Sequence, residues 1–267
     1  MNTKVMDRVQ EHYEYLEQKG YDIVCLGLQG SQNYGLDIYT DEYKSDVDTK
    51  AIVLPTFEDF VYNREPVSKT IVLDNNEHID VKDVRVMFDN FKKQNVNFIE
   101  ILFTHYGIFN SKYGDLVQPL FKHKEDIAHL NTNQAIRCMA GMSMEKLKAL
   151  KHPYPSIVDK IEKYGYDPKQ LHHILRMNDF IKEYVAGKPF EECLISKRKD
   201  YLIEIKKGIL NEEEATKLAE ETDAETKKIK EKHITEQDII NEKALDVLNK
   251  VKYDLLKYKF KEELKEW

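Results

Sequence analysis

Two short apolar runs with a charged joint between them set the strongest limit on how this chain folds. Tyr21–Leu28 (YDIVCLGL) is followed by Gly30-Ser31, and Val47–Leu54 (VDTKAIVL) is opened by Ser45-Asp46-Val47-Asp48 and closed by Pro55. Apolar runs of about eight residues bounded by turn residues fit buried strands better than helices. A glycine after the first run lets backbone come close to a ligand, and the serine beside it offers a hydroxyl and an N–H. On a strand, Asp46 and Asp48 project to one face with side chains about 6–7 Å apart, so the two can share divalent cations. A glycine-serine turn followed by paired carboxylates is what a metal-dependent phosphoryl-transfer site needs.

Each half of this pattern has a plainer reading. Gly-Ser after a strand is commonly only a tight turn, and Asp-x-Asp is commonly a solvated strand face. A third acidic group strengthens the set, because three converging carboxylates repel one another unless a cation joins them. Lys69–Leu73 and Glu77–Lys82 read as a β-hairpin with Asn75-Asn76 at its turn. The second arm puts His78, Asp80 and Lys82 on one face and Ile79 and Val81 on the other. Asp80 is therefore the expected third carboxylate, while Asp74 reads as a turn residue and Asp83 as a helix cap. Asp46, Asp48 and Asp80 are expected to meet around metal and to carry the catalysis.

Composition narrows the partners. The net charge of -7 supplies no overall basic field, so a polyanionic partner has to be held by local patches or by bound metal. Cys25, Cys138 and Cys193 lie far apart with no CxxC pair, which argues against a disulfide framework and against a zinc site. The first twenty residues are charged throughout and unlike a signal peptide. No apolar run approaches the ~18 residues of a membrane span. A cytoplasmic, membrane-free protein is the expectation.

Along the chain, residues 3–18 read as an amphipathic helix with Val5, Val9, Tyr13 and Leu16 on one stripe, stopped at Gly20. Ser31–Tyr39 reads as a short helix, Thr40–Lys44 as a polar loop, and Thr56–Val61 as one capped helical turn. A helix capped by Asp83 follows, with Val84, Phe88 and Phe91 inside. Beyond about residue 110 the strand signal fades, and residues 132–150, 168–186, 211–232 and 236–260 read as helices. The expected class is α+β, a mixed-sheet domain over 1–110 followed by an all-helical domain over 111–267.

The segments GLQGSQNYGLD, SDVDTKAIVLP and HIDVKDV together resemble the nucleotidyltransferases of the DNA polymerase β superfamily. Tyr34-Gly35 after the Gly-Ser pair, NVNFIEILF and YGYDPKQLHHILRMND are similar to the RlaP-like group of nucleotidyltransferases, which gene context links to RNA repair. The likeness spans about residues 20–105, and 160–215 more loosely. It implies a polymerase β-like catalytic domain in which Gly30 and Ser31 bind the triphosphate. Asp46 and Asp48 would hold two Mg²⁺ (or Mn²⁺) ions, and Asp80 would complete the second site and help deprotonate the attacking hydroxyl. Lys50 joins the expected nucleotide-binding residues, in a Thr49-Lys50 pair that stands where many relatives carry arginine and glycine.

Other residues divide between a role and a plain reading. Asn97 and Glu100 match the group's Asn-x-x-Glu pattern, with Glu100 either near the site or a buried ion-pair partner. His172 and Arg176 share a helix face at i, i+4 and either approach the nucleotide or form ordinary charged surface. Lys197-Arg198-Lys199 and Lys206-Lys207, with Tyr201 among them, either touch phosphate backbone or are solvated. The leading expectation is Mg²⁺-dependent transfer of a nucleoside monophosphate from an NTP to a hydroxyl, with an RNA end as acceptor on family analogy. A protein acceptor (AMPylation) and a nucleotide-binding adaptor without turnover are the alternatives.

Overall fold

The computed structural model describes residues 3–39, 44–155 and 157–265. In chain order the elements are α1 (Thr3–Gln18), β1 (Ile23–Gln29), a 3-10 turn (Ser31–Asn33), β2 (Asp48–Val53), α2 (Phe57–Val61), β3 (Ser68–Val72) and β4 (His78–Asp83). Then come α3 (Val84–Lys92), α4 (Val96–Ile99), a second 3-10 turn (Glu100–Phe103), β5 (Gly107–Phe109), α5 (Gly114–Lys122) and α6 (Lys124–Ala128). The remainder is helical: α7 (Thr132–Ala149), α8 (Val158–Tyr164), α9 (Pro168–Val185), α10 (Phe190–Cys193), α11 (Lys199–Lys206), α12 (Glu212–His233) and α13 (Glu242–Glu263). The architecture is α+β.

Local chemistry explains most boundaries. Thr56 and Asp59 form a reciprocal capping box at α2, and Asn211 with Glu214 forms another at α12. Asp83 caps α3 by accepting from Arg85 N–H, and Asp167 followed by Pro168 opens α9. Asn76 takes φ +64° at the β3–β4 turn, where the Leu73 carbonyl accepts from its N–H. The helix expected over Ser31–Tyr39 contracts to the single 3-10 turn, and Gly35 at φ +65° lies just beyond it. The polar loop expected over Thr40–Lys44 lies, apart from Lys44, outside the described residues.

The chain forms two compact units, and the single cut expected at residue 110 does not match them. One unit takes residues up to Asn33, then Asp41–Asn131 and Ile240 onward; the other takes Tyr34–Thr40 and Thr132–Ile239. In the first unit the five strands make one sheet in the order β3-β4-β2-β1-β5, with β2 and β4 parallel and the other neighbours antiparallel. The expected stripe of α1 packs on one sheet face, against Leu26, Leu28, Ala51, Val53, Ile79 and Val81. Removing such side chains from water is the main favourable term in folding, on the order of 1.5–3 kcal/mol for each fully buried large apolar group. Helix α13 belongs here too. Lys259 pairs with Asp22 at 2.6 Å, Tyr113 donates to the same carboxylate at 2.8 Å, and Phe260 sits edge-on to Phe57 and Phe60. An apolar stripe on a helix does not say whether a sheet or another helix will cover it, so sequence order is a poor guide to the partner.

The second unit is built around α9, whose buried Leu171, Ile174, Leu175, Phe180 and Ile181 face its neighbours α7, α11 and α12. Asn178 of α9 donates to Thr226 Oγ1 of α12, and Ser143 of α7 donates to the buried Asp223. Among the described residues no helix is long and apolar enough to cross a membrane.

Candidate active site

The β1–β2 ladder puts the glycine-serine turn and the first two aspartates at one end of the sheet. Because the strands are antiparallel, the last residue of β1 faces the first of β2: Gln29 pairs with Asp48. Gly30 follows at φ +93°, a conformation that L side chains rarely adopt, and no atom lies within 4 Å of where its Cβ would be. Glycine is therefore required here by backbone conformation and not by crowding. Ser31 opens the 3-10 turn, which Asn33 pins by donating to the Leu28 carbonyl at 2.8 Å and accepting from Thr104 Oγ1 at 2.7 Å. Gln32 reaches back and donates to the Asp46 carbonyl at 2.6 Å. Asp46 is exposed, and the Asp48 side chain is 32% exposed.

Asp48 is oriented from β4. His78 N–H donates to Asp48 Oδ1 at 2.9 Å, and His78 Nδ1 lies 3.1 Å from the same oxygen. Thr49, on the opposite sheet face, makes the companion contact. Its hydroxyl lies 2.9 Å from His12 Nδ1, and His12 Nε2 lies 3.0 Å from Glu77. Since a carboxylate only accepts, His12 donates from Nε2 and its Nδ1 accepts from Thr49. Arg8 donates to Glu77 as well, at 2.9 Å from Nε. Burial pushes the His12 imidazole below its ordinary value, against the pull of Glu77.

The register of β2 against β4 keeps Asp80 apart from this pair. Lys50, not Asp48, stands opposite Asp80, and Thr70 of β3 stands on its other side. Asp48 and Asp80 are thus two positions out of register and are not direct cross-strand neighbours. The Asp80 carboxylate meets Lys82 Nζ at 2.9 Å and Lys50 Nζ at 3.5 Å, and accepts from Thr70 Oγ1 at 3.3 Å. No three His, Cys, Asp or Glu side chains among the described residues are grouped so as to hold a metal ion. The convergence expected of Asp46, Asp48 and Asp80 is thus not formed. Carboxylates such as those of Asp46 and Asp48 are the donor type suited to Mg²⁺, a hard cation that takes one or two carboxylates and fills its other positions with water and substrate phosphate.

The remaining expected residues are placed as follows. Lys50 is 3% exposed, donates to the Asn97 carbonyl at 2.7 Å and lies 3.9 Å from the centre of the Phe98 ring. Burial lowers its ammonium to about 8, with Asp80 pulling the other way. It is therefore engaged with α4 and Asp80 and is not an open phosphate ligand. Glu100 is buried at the start of the second 3-10 turn. In the helical unit His172 is 3% exposed and its Nδ1–H donates to the Leu202 carbonyl at 3.0 Å; burial lowers the imidazole to about 4. Arg176 is 7% exposed with its guanidinium 3.7 Å from the centre of the Tyr34 ring. His172 and Arg176 thus pack inside this unit, where a nucleotide-binding role was expected. The basic cluster is largely paired: Lys197 with Glu183, Arg198 with Asp179 and Lys207 with Glu204. Sequence reading missed His78, Gln32 and Asn33 as groups that hold the site. The period-two pattern of β4, which puts His78 on the face of Asp80, was the signal that pointed to His78.

No family model matches the chain, and no curated protein matches it significantly. Among solved structures it is similar to a nucleotidyltransferase-like protein from Exiguobacterium sibiricum 255-15, at 12% identity and a TM-score of 0.31 over 85% of this chain and 74% of that one. A likeness of that size assigns neither a family nor an activity.

Proposed function

We propose that this chain is a metal-dependent nucleotidyltransferase that moves a nucleoside monophosphate from an NTP to a hydroxyl and releases pyrophosphate. One observation carries the reading: the Gln29–Asp48 pairing and the Gln32 contact to the Asp46 carbonyl bring the Gly30-Ser31 turn and the Asp46–Asp48 segment to one end of the sheet. Gly30 and Ser31 would receive the triphosphate, through backbone N–H groups and the Ser31 hydroxyl. Asp46 and Asp48 would hold Mg²⁺ or Mn²⁺, which when bound offsets the charge that develops in an in-line transfer. His78 fixes the Asp48 carboxylate, and Gln32 fixes the backbone at Asp46. An RNA end is the favoured acceptor on the resemblance of the motifs, with protein AMPylation or NTP binding without turnover as alternatives.

The test is incubation with labelled NTPs, Mg²⁺ or Mn²⁺ and total RNA, alongside the Asp46→Ala and Asp48→Ala variants. Label on RNA that disappears in both variants supports the proposal. Label on the protein itself moves the acceptor to a protein hydroxyl. Tight NTP binding with no label anywhere replaces the enzyme with a sensor.

A further inference from the structure

The face of the sheet that carries Asp48 also carries a closed ionic network one row further along. Gly27, Lys50, Asp80 and Thr70 lie in register across four strands. Asp80 is the node. It takes both ammoniums, Lys50 and Lys82, and the Thr70 hydroxyl. Each cation is satisfied again elsewhere: Lys50 donates to the Asn97 carbonyl, and Lys82 donates to Ser68 Oγ at 3.0 Å. Phe98 covers the pair, with its ring centre 3.9 Å from Lys50 Nζ and 6.0 Å from Lys82 Nζ. A divalent cation brought to this carboxylate would face two nearby ammoniums in a largely buried place. Asp48 stands one row away on the same face, opposite Gln29 at the end of β1, and its side chain is paired with His78 and not with either lysine.

We infer that Asp80 is a positioning residue that anchors Lys50 and Lys82 and through Lys50 seats the Val96–Ile99 helix, and that the metal-holding set of this chain is confined to Asp46 and Asp48. The metal part rests on the nucleotidyltransferase reading; the anchoring part does not. The two roles predict opposite responses to removal of the charge. A metal-cluster carboxylate repels its neighbours in the metal-free protein, so neutralising it relieves strain. An ion-pair node leaves two buried cations without an anion, so neutralising it is destabilising, and removing one of those cations as well gives part of the loss back.

The experiment is thermal melting of the full chain in metal-free buffer for wild type, Asp80→Asn, Lys50→Met and the double variant. Mn²⁺ binding by electron paramagnetic resonance is measured on the same proteins and on Asp48→Asn. We expect Asp80→Asn to melt about 5–10 °C lower, and the double variant to recover a substantial part of that fall. Mn²⁺ affinity should stay within about twofold in Asp80→Asn, or in the double variant should the single one not fold, and should fall at least about tenfold in Asp48→Asn. Melting of Asp80→Asn at or above the wild-type temperature overturns the inference. So does loss of Mn²⁺ binding in the folded Asp80 variants to the extent seen for Asp48→Asn. Absence of Mn²⁺ binding in the wild type removes the proposed function instead, and the melting comparison then decides the role of Asp80 alone.

Discussion

His78 holds one oxygen of Asp48 twice, by its backbone N–H at 2.9 Å and by its ring Nδ1 at 3.1 Å. The contact joins the first residue of β4 to the first residue of β2, and so fixes the direction of the carboxylate most central to the candidate site. A carboxylate oriented by a second group presents its remaining lone pairs in a defined direction, and loss of such a partner typically lowers metal affinity or activity 10- to 100-fold, roughly. His78→Ala retains the backbone bond. We expect nucleotidyl transfer to fall about tenfold, less than for loss of Asp48 itself. Steady-state rates against NTP concentration check this; an unchanged rate would mean that the ring does not orient the site.

Asp46→Ala and Asp48→Ala each remove half of the proposed donor set. On the proposed reading transfer should fall by about three orders of magnitude, since a bound cation would supply several kcal/mol of charge stabilisation. The fold should persist, because Asp46 is exposed and Asp48 is partly so. Circular dichroism and melting, run beside the labelling assay, separate lost chemistry from lost structure.

Two glycines of β1 and its turn should respond to alanine for different reasons. At Gly30 space is free but φ is +93°, so Gly30→Ala carries backbone strain of about 1–2 kcal/mol. At Gly27 the backbone is ordinary, but a Cβ would lie 2.7 Å from Ile101 Cγ1 and 3.0 Å from Thr104 Cγ2. Gly27→Ala should destabilise by about 1–3 kcal/mol through overpacking. Trimming the neighbour tells them apart: Ile101→Ala, which removes Cγ1, should offset part of the Gly27→Ala loss when the two are combined and should leave the effect of Gly30→Ala unchanged, as read by urea denaturation.

Acid should weaken the helical unit through His172. Its imidazole is held at about 4, below the ordinary 6.5, chiefly by burial, while the Leu202 carbonyl pulls the other way. The unfolded chain therefore binds the proton first as pH falls. The stability this histidine contributes is complete above pH 6.5 and is lost progressively as pH falls toward 4. Between pH 7.5 and 5 its share of the loss is about 2 kcal/mol. His12, also lowered by burial, acts in the same direction in the sheet unit. Urea titrations at several pH values should show the slope flatten in His172→Asn, which keeps a donor toward Leu202 but cannot take the proton.

A chain ending at Asn110 tests the division into units. It lacks Tyr113 and Lys259, which both meet Asp22, and the Phe260 ring that packs on Phe57 and Phe60. Such a fragment should fail to fold cooperatively. A soluble fragment with a sharp melting transition would show that α5, α6 and α13 are dispensable to the sheet.

Where residues speak through their immediate neighbours, the linear chain was a sound guide. The stripe of α1, the hairpin with Asn76 at positive φ, the capping box at Thr56 and the Asp83 cap all follow from spacing and turn chemistry within a few residues. The three-residue β5 left no period to detect, and α5 carries Pro119 in its interior, so neither was legible. The nearness of Asp48 to the Gly30-Ser31 turn follows from the antiparallel pairing of β1 with β2, the two apolar runs legible in the chain.

Strand order and register belong to the tertiary structure. Nothing in the spacing of β4 says which residue of β2 it will stand beside, and a shift of two residues exchanges an acidic neighbour for a basic one without moving any side chain to the other face. That choice set His78 against Asp48 and Lys50 against Asp80. Long-range packing, in which each apolar face is covered by whatever element buries it best, likewise assigned α13 to the sheet and turned His172 inward.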